Sequence, residues 1–163
     1  MALTTRGIAI QLLGSLRTHS EHKHLCSDND CIVTASHLIR KYSDPLFRDF
    51  KIGRISSVSF DNGYEGKPIL DHAIPVILLV KELMERSCGE VKIDANSIQD
   101  IETYLRDRLL LVKITKEEDQ LLSSKGFQRK MPESWVDPKS EYFGDKLARY
   151  KVAGIALSTS ADY

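Results

Sequence analysis

The apolar run at residues 73–80 is the feature that most constrains how this chain can fold. Pro75 suits the first turn of a helix, because a backbone N–H at that position has no partner within the helix. Residues 76–86 begin apolar on nearly all sides, so they predict a central, buried helix. The run is too short to cross a bilayer, which takes about 20 apolar residues in a helix.

Composition is ordinary for a folded soluble protein. Hydrophobic residues make up 42% and charged residues 28% of the 163 positions, enough for one domain with a real core. Basic and acidic residues both number 23, which argues against holding nucleic acid by overall charge alone. The cysteine count is odd, at three, and the N-terminal residues lack a signal-peptide pattern. We therefore expect a reduced, cytoplasmic protein with no membrane partner.

Apolar periodicity predicts an α+β fold. We expect one helix-rich domain over residues 1–163, with a small antiparallel sheet and a loose tail at residues 158–163. The first two strands are expected to pair as a hairpin through residues 56–60 and 67–70. The predicted helices include residues 5–19, 32–42 and 76–86, and a further helix is expected from a capping box at Asn96 to the basic last turn at Arg108. The predicted strands are at residues 51–60, 67–70 and 109–114.

Thr115-Lys116-Glu117-Glu118 has the pattern of a capping box. In this arrangement the threonine hydroxyl accepts from the N–H of Glu118, and the glutamate carboxylate reaches back to the N–H of Thr115. A helix should therefore begin directly after the strand at residues 109–114. Gly126 is the expected end of that helix, because glycine is common just past a helix C-terminus.

Asp71 and His72 are the strongest candidates for a catalytic pair. They follow an apolar strand end and come shortly before Pro75, so their backbone should be rigid. A carboxylate binds hard divalent cations, and a neutral imidazole can take a proton from water near pH 7. The alternative is structural: the carboxylate meets the N-terminus of the next helix, and the imidazole caps a neighbour.

The segment Asp71-His72-Ala73-Ile74-Pro75 resembles the first motif of HNH-type, or ββα-metal, nucleases. The resemblance implies a ββα-metal-like core built from this strand, the strand at residues 109–114 and the helix that starts at Thr115. It also implies metal-dependent hydrolysis of phosphodiester bonds in DNA or RNA, with His72 as the general base. Residues 76–108 separate the two strands, where the family usually has a short loop.

The same resemblance implies a divalent metal, Mg²⁺ or Mn²⁺. Asp71 would be one ligand of that metal. The family's further ligand is usually a histidine on the helix, and this chain has acids there instead. Glu118 and Asp119 are therefore the candidate ligands from the helix.

Histidines and cysteines cluster in the polar segment at residues 19–31. Imidazole and thiolate are the ligands that zinc prefers. The candidate Zn²⁺ ligands are His22, His24, Cys26 and Cys31. The alternative is a polar loop in which Asp28-Asn29-Asp30 supply the turn.

Basic and aromatic residues are mixed between residues 125 and 142, and such a mixture could follow a nucleic-acid backbone. Arg129 and Lys130 are the candidate contacts. The alternative is a solvated loop anchored by a buried Trp135.

Two functions remain open from the sequence. The first is a metal-dependent nuclease that acts through Asp71 and His72. The second is a non-enzymatic protein-interaction module, such as an inhibitor or adaptor, in which Asp71-His72 is structural. A zinc-stabilised binding module is a third possibility, carried by the cluster at residues 19–31.

Overall fold

A computed structural model describes residues 4–43, 52–87 and 89–158. The described residues form α-helices and a small three-stranded sheet, which confirms the α+β class. No helix among them is long and apolar enough to cross a membrane. Their contacts divide them into two compact units, which are described separately. The expectation of a single domain over residues 1–163 stays a prediction.

Consecutive stretches of the chain belong alternately to the first and the second unit. The first unit takes its described residues from 1–51 and 76–108, and the second from 52–75 and 109–163. In chain order the elements are α1 (Thr5–Glu21), α2 (Asp28–Tyr42), β1 (Gly53–Ser56), α3 (Val58–Asp61), β2 (Ile69–His72), α4 (Val76–Arg86), α5 (Ala95–Arg108), β3 (Leu110–Ile114), α6 (Lys116–Ser124) and α7 (Ala148–Ala153), with a 3-10 turn at Glu133–Trp135.

The first unit is a group of four helices. Helix α1 packs on α2 and α5, and α2 packs on α4. Helix α4 has the bounds predicted from its apolar run, and Leu79 and Val80 are buried almost completely. The burial of this helix confirms the prediction made from its composition.

Helix α2 begins four residues earlier than the sequence suggested. Ser27 caps it: the N–H of Asp30 donates to Ser27 Oγ at 3.2 Å, and the N–H of Ser27 donates to Asp30 Oδ2 at 2.9 Å. Residues 28–30 are thus the first helical turn. The loop that was predicted to continue through residue 31 ends before residue 28, so its predicted C-terminal boundary was wrong. Acids in a first turn are favourable because the N-terminus of a helix carries partial positive charge.

The second unit is organised around β3, which lies between β1 and β2. Strand β1 runs parallel to β3, with Gly53 paired to Leu110, and β2 runs antiparallel to it, with Ile69 paired to Ile114. The predicted hairpin between the first two strands was therefore wrong. The most apolar strand occupies the centre of the sheet because only there are both of its edges covered by partners.

The predicted strand at residues 51–60 was also too long. Strand β1 ends at Ser56, and Ser57 then caps the short helix α3 by accepting a hydrogen bond from the N–H of Phe60 at 3.2 Å. The C-terminal segment covers the outer edge of β1, where the N–H of Ser158 donates to Ser56 O at 2.8 Å. Ser158, placed in the loose tail by the sequence, is therefore bonded, and residues 159–163 lie outside the described residues.

One face of the sheet carries the core of the second unit. Ala73, Val112 and Ile114 are completely buried there and pack with Leu122 of α6 and Tyr150 of α7. Helix α6 begins as predicted, with both hydrogen bonds of the capping box at Thr115 present. This core positions the residues that the sequence marked as a candidate site.

Candidate functional site

Strand β2 sends the side chains of Asp71 and His72 to opposite faces of the sheet. Asp71 is paired with Val112 of β3, and His72 with Leu111. Paired residues share a face and successive residues alternate, so Asp71 lies on the core face. His72 belongs to the other face and is half-buried. The nuclease interpretation needs both side chains beside one metal ion.

The carboxylate of Asp71 is bound by two neighbours in α7. Arg149 is only 1% exposed, and its Nη2 donates to Asp71 Oδ2 in a very short contact. The hydroxyl of Tyr150 donates to the same oxygen at 2.6 Å. Asp71 is in β2 and both donors are in α7, so these hydrogen bonds connect the two elements within the second unit.

The guanidinium of Arg149 also binds backbone carbonyls around the end of β2. Its Nη2 donates to His72 O, its Nε to Ala73 O at 3.0 Å, and its Nη1 to Phe127 O at 2.8 Å. A buried cation is tolerated only when its donors are satisfied. Arg149 therefore joins the end of β2 to the segment that follows α6.

The electrostatics of the cluster follow from its burial. Burial raises the pKa of the Asp71 carboxyl, while the charge of Arg149 and the hydrogen bond from Tyr150 oppose that rise. The negative charge of Asp119, in α6, raises the pKa of the Asp71 carboxyl further. Burial and the charge of Asp71 raise the pKa of the Tyr150 phenol well above its ordinary value. Tyr150 is thus a phenol donor at neutral pH.

Glu118 is held by different partners from those of Asp71. Its Oε2 accepts from Ser57 Oγ at 2.6 Å and from the N–H of Thr115 at 2.9 Å, and the residue is 8% exposed. The sequence assigned this residue two possible roles, cap and metal ligand. One of its hydrogen bonds is that of the cap, and the other joins it to Ser57, the N-cap of α3.

Within the described ranges, no three side chains of His, Cys, Asp or Glu group in a way that could hold a metal ion. The set proposed for Mg²⁺ or Mn²⁺, Asp71 with Glu118 and Asp119, is therefore not assembled in that part of the chain.

The zinc candidates lie around the start of α2. His22 and His24 are exposed, with ring centroids 6.2 Å apart, and Cys26 is half-buried before the cap. Cys31 is buried in the first turns of α2, and burial raises the pKa of its thiol. Zinc binds the thiolate form, so the burial of Cys31 works against that role.

The basic segment after α6 contacts the Asp71 cluster through the backbone of Phe127. Arg149 donates to Phe127 O, while Arg129 and Lys130 are exposed. Trp135 is half-buried, and its Nε1 is buried with no hydrogen-bond partner among the described residues. The alternative of a solvated loop anchored by a buried Trp135 is thus only partly met, because the residue is half-buried.

Arg149 and Tyr150 were missed by the sequence reasoning. They lie 78 and 79 positions from Asp71, and a short polar segment with arginine and tyrosine is typical of a solvated helix. No local pattern predicts that this arginine is buried. The one feature of the sequence that could have indicated a buried partner was Asp71 itself, since a carboxylate on the core face of a strand needs a hydrogen-bond or charge partner.

Comparison of the chain with protein-family models, curated proteins and solved structures found no match.

Proposed function

We propose that this protein is a non-enzymatic protein-interaction module, an inhibitor or adaptor, in which Asp71 has a structural role. The observation that carries the proposal is the binding of the Asp71 carboxylate by Arg149 and Tyr150. A guanidinium at this position supplies the positive charge that a divalent metal would supply in a nuclease. A reduced, cytoplasmic setting belongs to the proposal, because Cys26 and Cys31 are free thiols.

The second unit offers a surface for such a partner. The N–H of Gly144 donates to Trp135 O at 3.0 Å and closes a loop whose ends carry Val136 and Phe143. These two side chains are 67% and 56% exposed. Exposed apolar residues in neighbouring positions are favoured at protein interfaces, where aromatic residues are enriched.

Affinity purification from cells that express the protein tests this surface. A double variant, Val136→Asp with Phe143→Asp, should lose a partner that the wild type retains. Val33→Asp is the matched control, because Val33 is 60% exposed on α2 in the first unit. Identical partners for the double variant and the wild type would contradict the assignment of this surface.

A metal-dependent nuclease is the second candidate. The observation in its favour is the order of elements: β2 pairs antiparallel with β3, and α6 follows β3 directly. Under this proposal Asp71 and Asp119 hold Mg²⁺ or Mn²⁺, and His72 is the general base. Arg129 and Lys130, both exposed, would contact the phosphates of DNA or RNA.

Cleavage assays separate the two candidates. Wild-type protein is incubated with single- and double-stranded DNA and with RNA, in Mg²⁺ or Mn²⁺. The nuclease proposal expects cleavage that His72→Ala and Asp119→Asn abolish, while Asp100→Asn, an exposed position on α5, leaves it unchanged. The interaction proposal expects no cleavage above that of the His72→Ala variant.

A further inference from the structure

Cys26 and Cys31 stand on either side of the capping box that begins α2. Ser27 is the N-cap, so Cys26 is the residue before the cap and Cys31 is the fourth residue of the helix. Side chains at these two positions often pack against each other, an arrangement called the hydrophobic staple. In this chain both staple positions carry a thiol, and both cysteines are free.

One carbonyl oxygen brings the two cysteines together. Cys26 Sγ donates to Ser27 O at 3.9 Å, and the N–H of Cys31 donates to the same oxygen at 3.2 Å. The Cys26 thiol therefore lies at the first turn of α2, beside the backbone of Cys31. The backbone of Cys26 is held as well, because its N–H donates to His22 O at 2.9 Å.

The two thiols also interact electrostatically. Burial raises the pKa of the Cys31 thiol, a hydrogen bond with Ser15 of α1 lowers it, and the charge of an ionised Cys26 thiol raises it. A charge effect of this kind weakens with distance. It therefore agrees with the contact that both cysteines make to Ser27 O.

The two thiols differ in their access to solvent. Cys26 is half-buried, whereas Cys31 is 1% exposed. An oxidant in solution therefore reaches Cys26 directly and Cys31 only through Cys26. An accessible cysteine with a second cysteine beside it is the arrangement of an attacking and a resolving thiol at redox-sensing sites.

We propose that Cys26 and Cys31 are a redox modification site that forms a reversible disulfide, with a small disulfide such as glutathione disulfide as the oxidant. The Cys26 thiolate attacks one sulfur of glutathione disulfide, the S–S bond of that molecule breaks, and one glutathione leaves. The Cys31 thiolate then attacks Cys26 Sγ, the bond from Cys26 to glutathione breaks, and the second glutathione leaves. The two protein thiols give up two electrons and two protons, and glutathione disulfide takes them up to become two glutathione thiols.

This site lies in the first unit and is independent of the proposed interaction function, whose surface is in the second unit. In a reducing compartment, disulfides are usually transient and catalytic or redox-sensing. The fraction of protein with the Cys26–Cys31 bond would therefore follow the balance between glutathione and glutathione disulfide.

Wild-type protein equilibrated in native glutathione buffers of increasing oxidising ratio tests the proposal. The reaction is stopped with acid, free thiols are alkylated, and the unreduced peptides are identified by mass spectrometry. We expect a Cys26–Cys31 link that dithiothreitol reverses. Cys31→Ala should stop at a mixed disulfide between Cys26 and glutathione, and Cys26→Ser should leave Cys31 unmodified. Cys88→Ser is the matched control and should form the link as the wild type does.

The same equilibrium measured in concentrated urea should favour the disulfide about tenfold less, because the fold no longer holds the two thiols together. Equal equilibria in native buffer and in urea would overturn the proposal, since spacing in the sequence would then account for the link. So would a wild-type protein that stops at the mixed disulfide of Cys26, or one that links Cys26 to Cys88 or to a second chain. Circular dichroism shows whether each variant keeps its helices, and the wild-type result needs no variant.

Discussion

Ser57 Oγ donates a 2.6 Å hydrogen bond to Glu118 Oε2 across 61 positions of the chain. Ser57 is the N-cap of α3, and Glu118 is the carboxylate of the capping box at Thr115 that begins α6. The starts of two helices in the second unit are thus joined through one buried oxygen. Two donors on that oxygen account for a carboxylate that is only 8% exposed.

Ser57→Ala should lower the free energy of unfolding by about 1–3 kcal/mol, because the buried carboxylate of Glu118 loses a donor. Urea denaturation followed by circular dichroism measures the change. Ser124→Ala is the control, since Ser124 makes an exposed local bond to Leu121 O and should change stability by less than about 0.5 kcal/mol. Equal effects of the two variants would show that the bond from Ser57 contributes nothing.

Thr115→Ala should cost about 1 kcal/mol of folding stability, because the N–H of Glu118 loses the hydroxyl that accepts from it at 3.2 Å. Thr115→Ser keeps this acceptor and should recover most of the loss. The denaturation midpoints of the two variants provide the measurement. A midpoint for Thr115→Ala equal to that of the wild type would mean that the cap does not stabilise α6.

Arg149→Met should be the most destabilising of these changes, by about 3–5 kcal/mol, because it leaves Asp71 on the core face without its cation. Tyr150 remains as a donor but cannot supply a positive charge. Arg129→Met is the control at an exposed arginine of the same unit. A comparable loss in both variants would contradict the structural role assigned to the Asp71 cluster, and thermal denaturation distinguishes the outcomes.

Cys26 should react faster than Cys31 with a small alkylating reagent at pH 8. Cys26 is half-buried, whereas Cys31 is 1% exposed and burial raises the pKa of its thiol above the ordinary 9.0. Alkylation at a low reagent ratio followed by peptide mass spectrometry assigns the modified residue. Preferential modification of Cys31 would mean that its thiol is open to solvent in solution.

The same shift has a consequence for stability at high pH. Above pH 9.0 the unfolded chain releases the Cys31 proton while the folded chain retains it, so stability falls as pH rises through this range. Below that range the contribution of Cys31 is fully present. Cys31→Ala should show a smaller decline between pH 8 and pH 10 in urea denaturation. Parallel declines in the two proteins would contradict the raised pKa.

Local patterns predicted several elements with good accuracy. The helix at residues 76–86 has the observed bounds of α4, and the capping box at Thr115 begins α6 where expected. Both depend on interactions between residues a few positions apart, which a sequence shows directly. The start of α2 was missed, although Ser27 and Asp30 form a cap, because the acids at residues 28–30 were interpreted as a turn.

The pairing of the strands could not be predicted from the pattern of neighbouring residues in the sequence. Two strands near in sequence were expected to form a hairpin, yet β3 lies between β1 and β2. A strand of four residues pairs with whichever partner buries its apolar face, and that partner can be distant in the chain. Residues 76–108 separate β2 from β3, and the helices they form belong to the first unit with α1 and α2.

The sequence by itself determined the α+β class, the buried helix after Pro75 and the cap at Thr115, because these follow from periodicity and from contacts within one turn. Only the tertiary structure shows which groups bind the Asp71 carboxylate. Its partner Arg149 lies 78 positions away, and nothing in the intervening residues indicates the pairing. A carboxylate in a strand has the same sequence context whether it meets a metal ion or a guanidinium. The difference lies in what packs against its face of the sheet.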